Sequence, residues 1–152
     1  MPRPAIPREW LPTIPRRYAS TAIDGLLIIA AIVVPIAVWP GEAEVLRLGR
    51  IAIALGAIFI YEPLCTALAV TLGQRVVGIR VRRFDTGGRI SLLHAYARIV
   101  VKVLLGFISF FSLPLTPGRR AFHDLASGAI VIMADAESEF VEWTATAPQG
   151  AE

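Results

Sequence analysis

Residues 16–34 read RRYASTAIDGLLIIAAIVV, an apolar run that begins with two arginines and contains one carboxylate, Asp24. The run continues to Trp39, and about 20 mainly apolar residues are enough for a helix to cross the hydrocarbon core of a bilayer. It is too long for the apolar core of a signal peptide, and no small-residue cleavage site follows it. We therefore predict a retained transmembrane helix over residues 18–39, bent at Pro35.

The composition of the chain is that of a membrane protein. Of its 152 residues, 55% are hydrophobic and only 18% are charged, which excludes an ordinary soluble domain of this length. A second apolar segment covers residues 51–72 and is interrupted only by Glu62 and Pro63. It predicts a second transmembrane helix with a kink at that pair, because a proline inside a helix removes one backbone hydrogen bond.

The distribution of charge predicts the orientation of these two helices. Arginines are concentrated in residues 1–17 and in residues 75–89, whereas the loop at residues 40–50 is nearly neutral. Arginine-rich segments are retained on the cytoplasmic side, so we predict that the N-terminus and residues 75–89 are cytoplasmic and contact anionic lipid headgroups. No motif typical of nucleic-acid binding accompanies the arginines, and nucleic acid is not expected as a partner.

A small β-element is expected on the cytoplasmic side. Residues 77–82 alternate apolar side chains with arginine or glycine, which predicts a strand over residues 77–84, and the apolar residues 128–133 are its best partner in a hairpin-like pair. The proline-rich residues 1–15 are predicted to form a flexible leader, and the acidic residues 135–152 a disordered tail. The membrane domain would then occupy residues 16–134.

Residues 91–117 connect the two predicted strands and must return to the same side of the membrane. His94, Arg98 and Lys102 recur every four residues opposite an apolar face, which predicts an in-plane or re-entrant helix with Arg98 and Lys102 at the lipid headgroups. A third full crossing is the alternative, since residues 103–118 carry no charge. The predicted fold class is an all-α membrane protein with two transmembrane helices, this third helical region and the β-element.

A polar stripe runs along one side of the first predicted helix. Arg17, Ser20, Thr21 and Asp24 fall at helical spacing, and a carboxylate near the bilayer centre costs about 2.5–3.5 kcal/mol. Asp24 could be a structural group that pairs with an arginine, a proton or cation site, or a shallow solvated residue. Glu62, in the second helix, could complete an oxygen-rich cation site or be a protonated packing residue.

Nothing in the sequence indicates an enzyme, a cofactor or a metal site. His123 and Asp124 are adjacent, but neighbouring residues on a helix point apart, and no serine elbow, zinc-ligand spacing or phosphate-binding glycine loop accompanies them. The single cysteine, Cys65, has no second cysteine with which to form an intramolecular disulfide or a metal site. We therefore predict no catalytic residue and no bound cofactor.

Four features in order along the chain resemble the RDD family of bacterial membrane proteins. They are an arginine at the start of the first helix, an aspartate seven residues later, the segment TLGQRVVGIRV at residues 71–81, and the segment RRAFHDLASGAIVI at residues 119–132. The family takes its name from one arginine and two aspartates, which correspond here to Arg17, Asp24 and Asp124.

The resemblance implies a small, multi-pass integral protein of the bacterial plasma membrane. It implies no general biochemical activity, although cation/proton antiport has been proposed within the family. Where the family more often has a threonine in the last segment, this chain has Ala129. Any function of that hydroxyl group is therefore not expected here.

Three hypotheses about function follow. The first is a structural or interaction component that packs against its own copy or another membrane protein, with Arg17, Asp24 and Asp124 in a buried polar cluster. The second is an oligomeric cation/proton antiporter in which Asp24 and Glu62 alternate between proton and cation while Arg17 tunes Asp24. The third is a module that recruits a partner through the basic hairpin and the acidic tail.

Overall fold

The computed structural model of the chain describes residues 5–116 and 118–146. Most of these residues are helical, and two short strands form one sheet. The helices and strands follow one another in this order: α1 (Ile14–Val38), α2 (Glu44–Gly56), α3 (Glu62–Leu68), α4 (Leu72–Val77), β1 (Ile79–Arg83), α5 (Leu92–Leu105), α6 (Phe122–Ala126), β2 (Ala129–Met133) and α7 (Glu137–Thr146).

Two helical stretches within the described chain, Arg8–Val38 and Glu44–Leu68, are long and apolar enough to cross a membrane by length and composition. Only 11% and 22% of their most apolar windows are buried inside the protein. A core helix of a soluble protein would be mostly buried, so these stretches have the surface expected of helices that face lipid.

The second long stretch is continuous but changes its winding before the predicted kink. A π-helical turn, Ala57–Tyr61, joins α2 to α3 and ends just before Pro63. The ring of Pro63 crowds the carbonyl group four residues earlier, and proline has no backbone N–H with which to donate a hydrogen bond to it. The π turn accommodates this lost hydrogen bond. The second long stretch was predicted over residues 51–72, but it starts earlier, at Glu44, and ends earlier, at Leu68. It ends before residue 72 because a new helix, α4, begins after Thr71, whose hydroxyl group caps it.

The two strands pair as the sequence predicts. β1 and β2 are antiparallel, with Val81 opposite Val131. Side chains on one face of the sheet, including these two valines, pack against Ala67 of α3 and Ala95 of α5. The sheet therefore lies against the end of the second long stretch and the first turn of α5.

The leader and the tail are more ordered than the sequence suggested. Leu11, which follows a 3-10 turn at Arg8–Trp10, packs with Ile130 and with Phe140 of α7 on the second face of the sheet. The predictions of a flexible leader and a disordered tail are therefore wrong over residues 5–15 and 135–146, because both segments supply apolar side chains that cover this face. Residues 1–4 and 147–152 of these predicted regions lie outside the described residues.

The third apolar region does not form one long helix. α5 ends at Leu105, where Gly106 adopts a positive φ of 52°, and a 3-10 helix over Gly106–Ser112 follows. Within the described residues, this region yields no helix of the length needed to span a membrane alone. α5 packs its inner side against α3 and α6 and exposes Leu93 and Leu104 on its outer side.

Candidate functional site

The centre of the polar interior is Asp124, whose side chain is 0% exposed. Arg17 of α1 donates to one of its carboxylate oxygens, and Arg98 of α5 donates to the other, with Nη1 at 2.5 Å from Oδ1. The backbone N–H of Ala121 also donates to Oδ2, at 3.0 Å. One carboxylate thus connects two helices and the start of α6.

The charge of Asp124 is stabilised by these neighbours. Burial alone would raise the pKa of this carboxyl group, but the positive charges of Arg17 and Arg98 outweigh burial and hold its pKa well below the usual range. Because two arginines share this buried carboxylate, the three side chains form a fixed ionic contact. Asp124 is therefore not a group that exchanges protons near neutral pH. Arg17 also donates to the carbonyl oxygen of Arg119 at 2.6 Å, which holds the loop before α6.

Asp24 has different partners from those the sequence suggested. Its carboxylate accepts hydrogen bonds from the hydroxyl group of Thr71 at 2.7 Å and from the backbone N–H of Gly73 at 2.8 Å, with the Tyr61 hydroxyl group at 3.4 Å. These donors belong to the start of α4 and the end of the π-helical turn, and no arginine is among them. Asp24 therefore docks α4 onto α1 through hydrogen bonds rather than through an ion pair.

This docking requires a glycine at the contact. A Cβ atom built on Gly73 would lie 2.1 Å from the carbonyl oxygen of Ser20 and 2.8 Å from a carboxylate oxygen of Asp24. Such distances are far inside van der Waals contact, so only glycine lets the backbone of α4 approach α1 this closely. The sequence contains this glycine in the TLGQ segment, but no pattern in the sequence assigns it to Asp24.

Glu62 pairs with Lys102, whose Nζ atom is 2.5 Å from Oε1 of the carboxylate. Glu62 and Asp24 both line one polar cavity between α1, α3, α4 and α5, with a volume of about 20 Å³. Arg17 and Arg98 reach the same cavity. The structure thus brings the residues singled out in the sequence into one polar interior, although Asp24 and Glu62 have separate partners.

The prediction that Arg98 and Lys102 contact lipid headgroups needs correction. Arg98 is 8% exposed and binds Asp124, and Lys102 turns to Glu62. Arg98 and Lys102 of α5 therefore face inward, where α6 and α3 each supply one carboxylate for them. The four-residue spacing of Arg98 and Lys102 on α5 is evident in the sequence. The acidic partners of these two residues lie 26 and 40 residues away in the chain and could not be assigned from it.

His123 was not expected to contact Asp124, but its Nε2 atom lies 3.5 Å from Oδ1 of that carboxylate. Its other ring nitrogen is 2.5 Å from the hydroxyl oxygen of Ser109. Burial lowers the pKa of His123 to about 3, in spite of the opposite effect of Asp124, so the ring is neutral near pH 7.

Ser109 contacts His123, and His123 contacts Asp124, in the same order as the residues of a catalytic triad. These three residues nevertheless lack essential features of such a triad. Ser109 is 0% exposed, and Asp124 is already bound by two arginines. A nucleophile must reach its substrate, and this hydroxyl group is enclosed by the protein. The described residues also include no group of three or more histidine, cysteine, aspartate or glutamate side chains that could hold a metal ion.

Two long apolar helices, a two-stranded sheet and a buried arginine–aspartate cluster define a small helical protein of the membrane type. Residues 11–128 match the model of the RDD family, and the chain belongs to that family. No curated protein and no solved structure matches the chain.

Proposed function

We propose that this protein is a non-enzymatic component of the bacterial plasma membrane, in which the buried arginine–aspartate cluster fixes how the membrane helices and the sheet are joined. The observation that carries the proposal is the pairing of Asp124 with both Arg17 and Arg98 in the interior. Groups that must bind and release an ion need access and a pKa near the working pH. Asp124 has neither, which favours a structural role.

The contact between the leader and the sheet supports a topology with both on the cytoplasmic side. Leu11 packs against Ile130 of β2, so the chain before α1 and the chain after α6 lie on the same side of the long helices. The basic loop that contains β1 belongs to the same sheet. Arginine-rich segments are retained in the cytoplasm, and the shared position of leader, loop and strand agrees with that orientation.

The outer surface of the long helices supports a partner within the bilayer. α2 contains no buried residue, and Leu26 of α1 is 66% exposed. Two helices leave most of such a surface to lipid or to another membrane protein. We propose self-association, which light scattering of the purified protein in detergent tests directly. A particle with the protein mass of one chain, at every detergent-to-protein ratio, would contradict self-association.

Cation/proton antiport is the competing hypothesis. Asp24 and Glu62 do line a common cavity, but Thr71 and Gly73 donate to the first carboxylate and Lys102 pairs with the second. A cation would have to displace these groups, and the cavity wall already carries positive charge. The geometry therefore gives the antiport hypothesis no support beyond the proximity of two carboxylates.

One comparison separates the two functions. Wild type, Asp124→Asn, Asp24→Asn and Glu62→Gln are each measured for thermal stability in detergent and for dissipation of a pH gradient in proteoliposomes with sodium, lithium or potassium. Glu42→Gln, a change at an exposed position of the loop between α1 and α2, is the control. The structural role predicts loss of stability in the two aspartate variants and no cation-stimulated flux in any protein.

Two results would contradict the structural role. One is unchanged folding yield and thermal stability in both Asp24→Asn and Asp124→Asn. The other is cation-stimulated flux in the wild type that disappears in Glu62→Gln while its thermal stability is retained. The second result would also establish antiport, since it separates the loss of transport from the loss of the fold.

A further inference from the structure

Two residues that line the polar cavity each carry a buried side-chain atom that has no hydrogen-bond partner among the described protein groups. These atoms are the amide oxygen Oε1 of Gln74, on α4, and Nε of Arg98, on α5. The two residues are 6% and 8% exposed, and both line the cavity. A buried polar atom without a hydrogen bond destabilises a fold, so two of them on residues that line one cavity point to a bound partner.

The two atoms specify the chemistry of that partner. The amide oxygen of Gln74 only accepts, and Nε of Arg98 only donates, so one molecule that serves both must donate and accept. A cation could bind the amide oxygen but would be repelled by Arg98 and Lys102. An anion could bind the guanidinium group but would be repelled by Asp24 and Glu62.

The charges around the cavity also favour a neutral molecule. Arg17, Arg98 and Lys102 are matched by Asp24 and Glu62 in the wall and by Asp124, which both arginines bind. A volume of about 20 Å³ accommodates about one water. We propose that this cavity binds an ordered water molecule that joins Gln74 to Arg98.

Such a water would connect two parts of the polar interior, because it would bridge Gln74 and Arg98, which form no direct hydrogen bond with each other. Gln74 follows Gly73, which binds Asp24, whereas Arg98 binds Asp124. Through the water, the helix docked by one carboxylate would be linked to the helix docked by the other. Ordered waters that satisfy buried polar groups are part of the structure and are costly to remove.

Hydroxyl-radical footprinting of the full chain in detergent micelles tests the site, because radiolysis of a bound water modifies the side chains beside it. Phe110 and His123 both line the cavity and are 4% and 1% exposed. Phe140, which is 0% exposed and packs on the far face of the sheet, is the control. We expect modification of Phe110 and His123 but not of Phe140. Equal rates for Phe110 and Phe140 would overturn the proposal.

A variant of the acceptor provides the second arm. Gln74→Leu removes the amide oxygen at similar volume, and we expect loss of the modification at Phe110. Val76→Ala, at a site on the same helix that is 65% exposed, should leave it unchanged. Modification of Phe110 that persists in Gln74→Leu would count against the site. If that variant does not fold, the comparison of Phe110 with Phe140 in the wild type still decides.

Two further outcomes of the same experiment would assign the cavity differently. If lithium or sodium abolishes the modification, the site binds a cation and the proposal of a water is wrong. If Phe110 incorporates oxygen-18 from added labelled water as fast as Trp39, which is 51% exposed, bulk solvent enters the cavity and no ordered water is bound. The expected result is that Phe110 incorporates oxygen-18 slowly whereas Trp39 incorporates it fast.

Discussion

Arg17 in the first turn of α1 donates a hydrogen bond to the carboxylate of Asp124, which lies 107 residues further along the chain. Arg98 approaches the same carboxylate from α5. A single aspartate thus closes the loop from the first membrane-type helix to the last segment of the family-matched region. Removing Asp124 from this contact would leave two buried arginines without their common counter-charge, so the contact is expected to contribute strongly to the stability of the fold.

Arg17→Gln is expected to lower the free energy of unfolding by about 1–3 kcal/mol, because Asp124 loses one charged donor but keeps its ion pair with Arg98. Arg16→Gln, at the adjacent exposed position, should change it by no more than about 0.5 kcal/mol. Denaturant unfolding in detergent measures both. In a cycle with Asp124→Asn, the double variant should lose less than the sum of the single losses. Additive losses would mean that the two residues do not stabilise the fold through their contact.

Gly73→Ala tests the docking of α4 onto α1. The added methyl group would lie 2.1 Å from the carbonyl oxygen of Ser20, so α4 must shift and Asp24 must lose hydrogen bonds. We expect a loss of at least about 1–3 kcal/mol in the free energy of unfolding, as for other overpacked sites. Gly56→Ala is the matched control, because a Cβ atom there meets nothing within 4 Å. Similar stability for the two variants would contradict the close approach.

The sequence was sufficient to predict the elements whose signal is local. The apolar runs predicted two long helices, and the alternation around Val81 predicted a strand that does pair with β2. The cost of placing a carboxylate among apolar residues singled out Asp24 and Glu62, and both line the polar cavity. These inferences depend on periodicity and transfer free energy, which need no knowledge of distant contacts.

The partners of these residues could not be predicted in the same way. Arg98 forms part of an amphipathic pattern whether its polar side faces headgroups or a buried carboxylate, and only tertiary contacts distinguish the two cases. The tail is acidic enough to suggest disorder, yet Phe140 and Trp143 occur one helical turn apart and pack on the sheet. That spacing was the available signal for α7, and the overall charge of the tail concealed it.

The buried imidazole of His123 makes stability depend on pH. The unfolded chain takes up a proton near pH 6.5, whereas burial lowers the pKa of the folded-state ring to about 3. Between these values the unfolded state holds more protons, so stability is full above about pH 6.5 and falls as the solution is acidified toward pH 3. The slope should approach about 1.4 kcal/mol per pH unit below the upper value.

Unfolding measured between about pH 7.5 and pH 4.5 checks this dependence. In His123→Gln the part of the slope that comes from this ring should disappear, while His94→Gln, which changes the other histidine, should keep it. The stabilisation that comes from Asp124 is constant over this range and is lost only below about pH 4, because the arginines hold its folded-state pKa well below the usual range. An unchanged slope in His123→Gln would show that the ring is not held neutral in the folded protein.

Phe140 decides whether α7 is part of the fold or an independent recruiting tail. Its ring is 0% exposed and packs with Ile130, Ile132 and Leu11 on the second face of the sheet. Phe140→Ala is expected to lower the free energy of unfolding by about 3–5 kcal/mol, as for other buried phenylalanines, whereas Val141→Ala, at a site that is 41% exposed, should have little effect.

Truncation after Met133 extends the same test. The recruitment hypothesis predicts a protein that inserts and folds normally but loses a partner. The packing of α7 predicts instead that the truncated chain exposes Ile130 and Ile132 of β2, and that it is less stable and aggregates in detergent. Thermal unfolding and size-exclusion chromatography measure both properties. A truncated chain with the stability and elution volume of the wild type would show that α7 contributes nothing to the fold, and would favour recruitment.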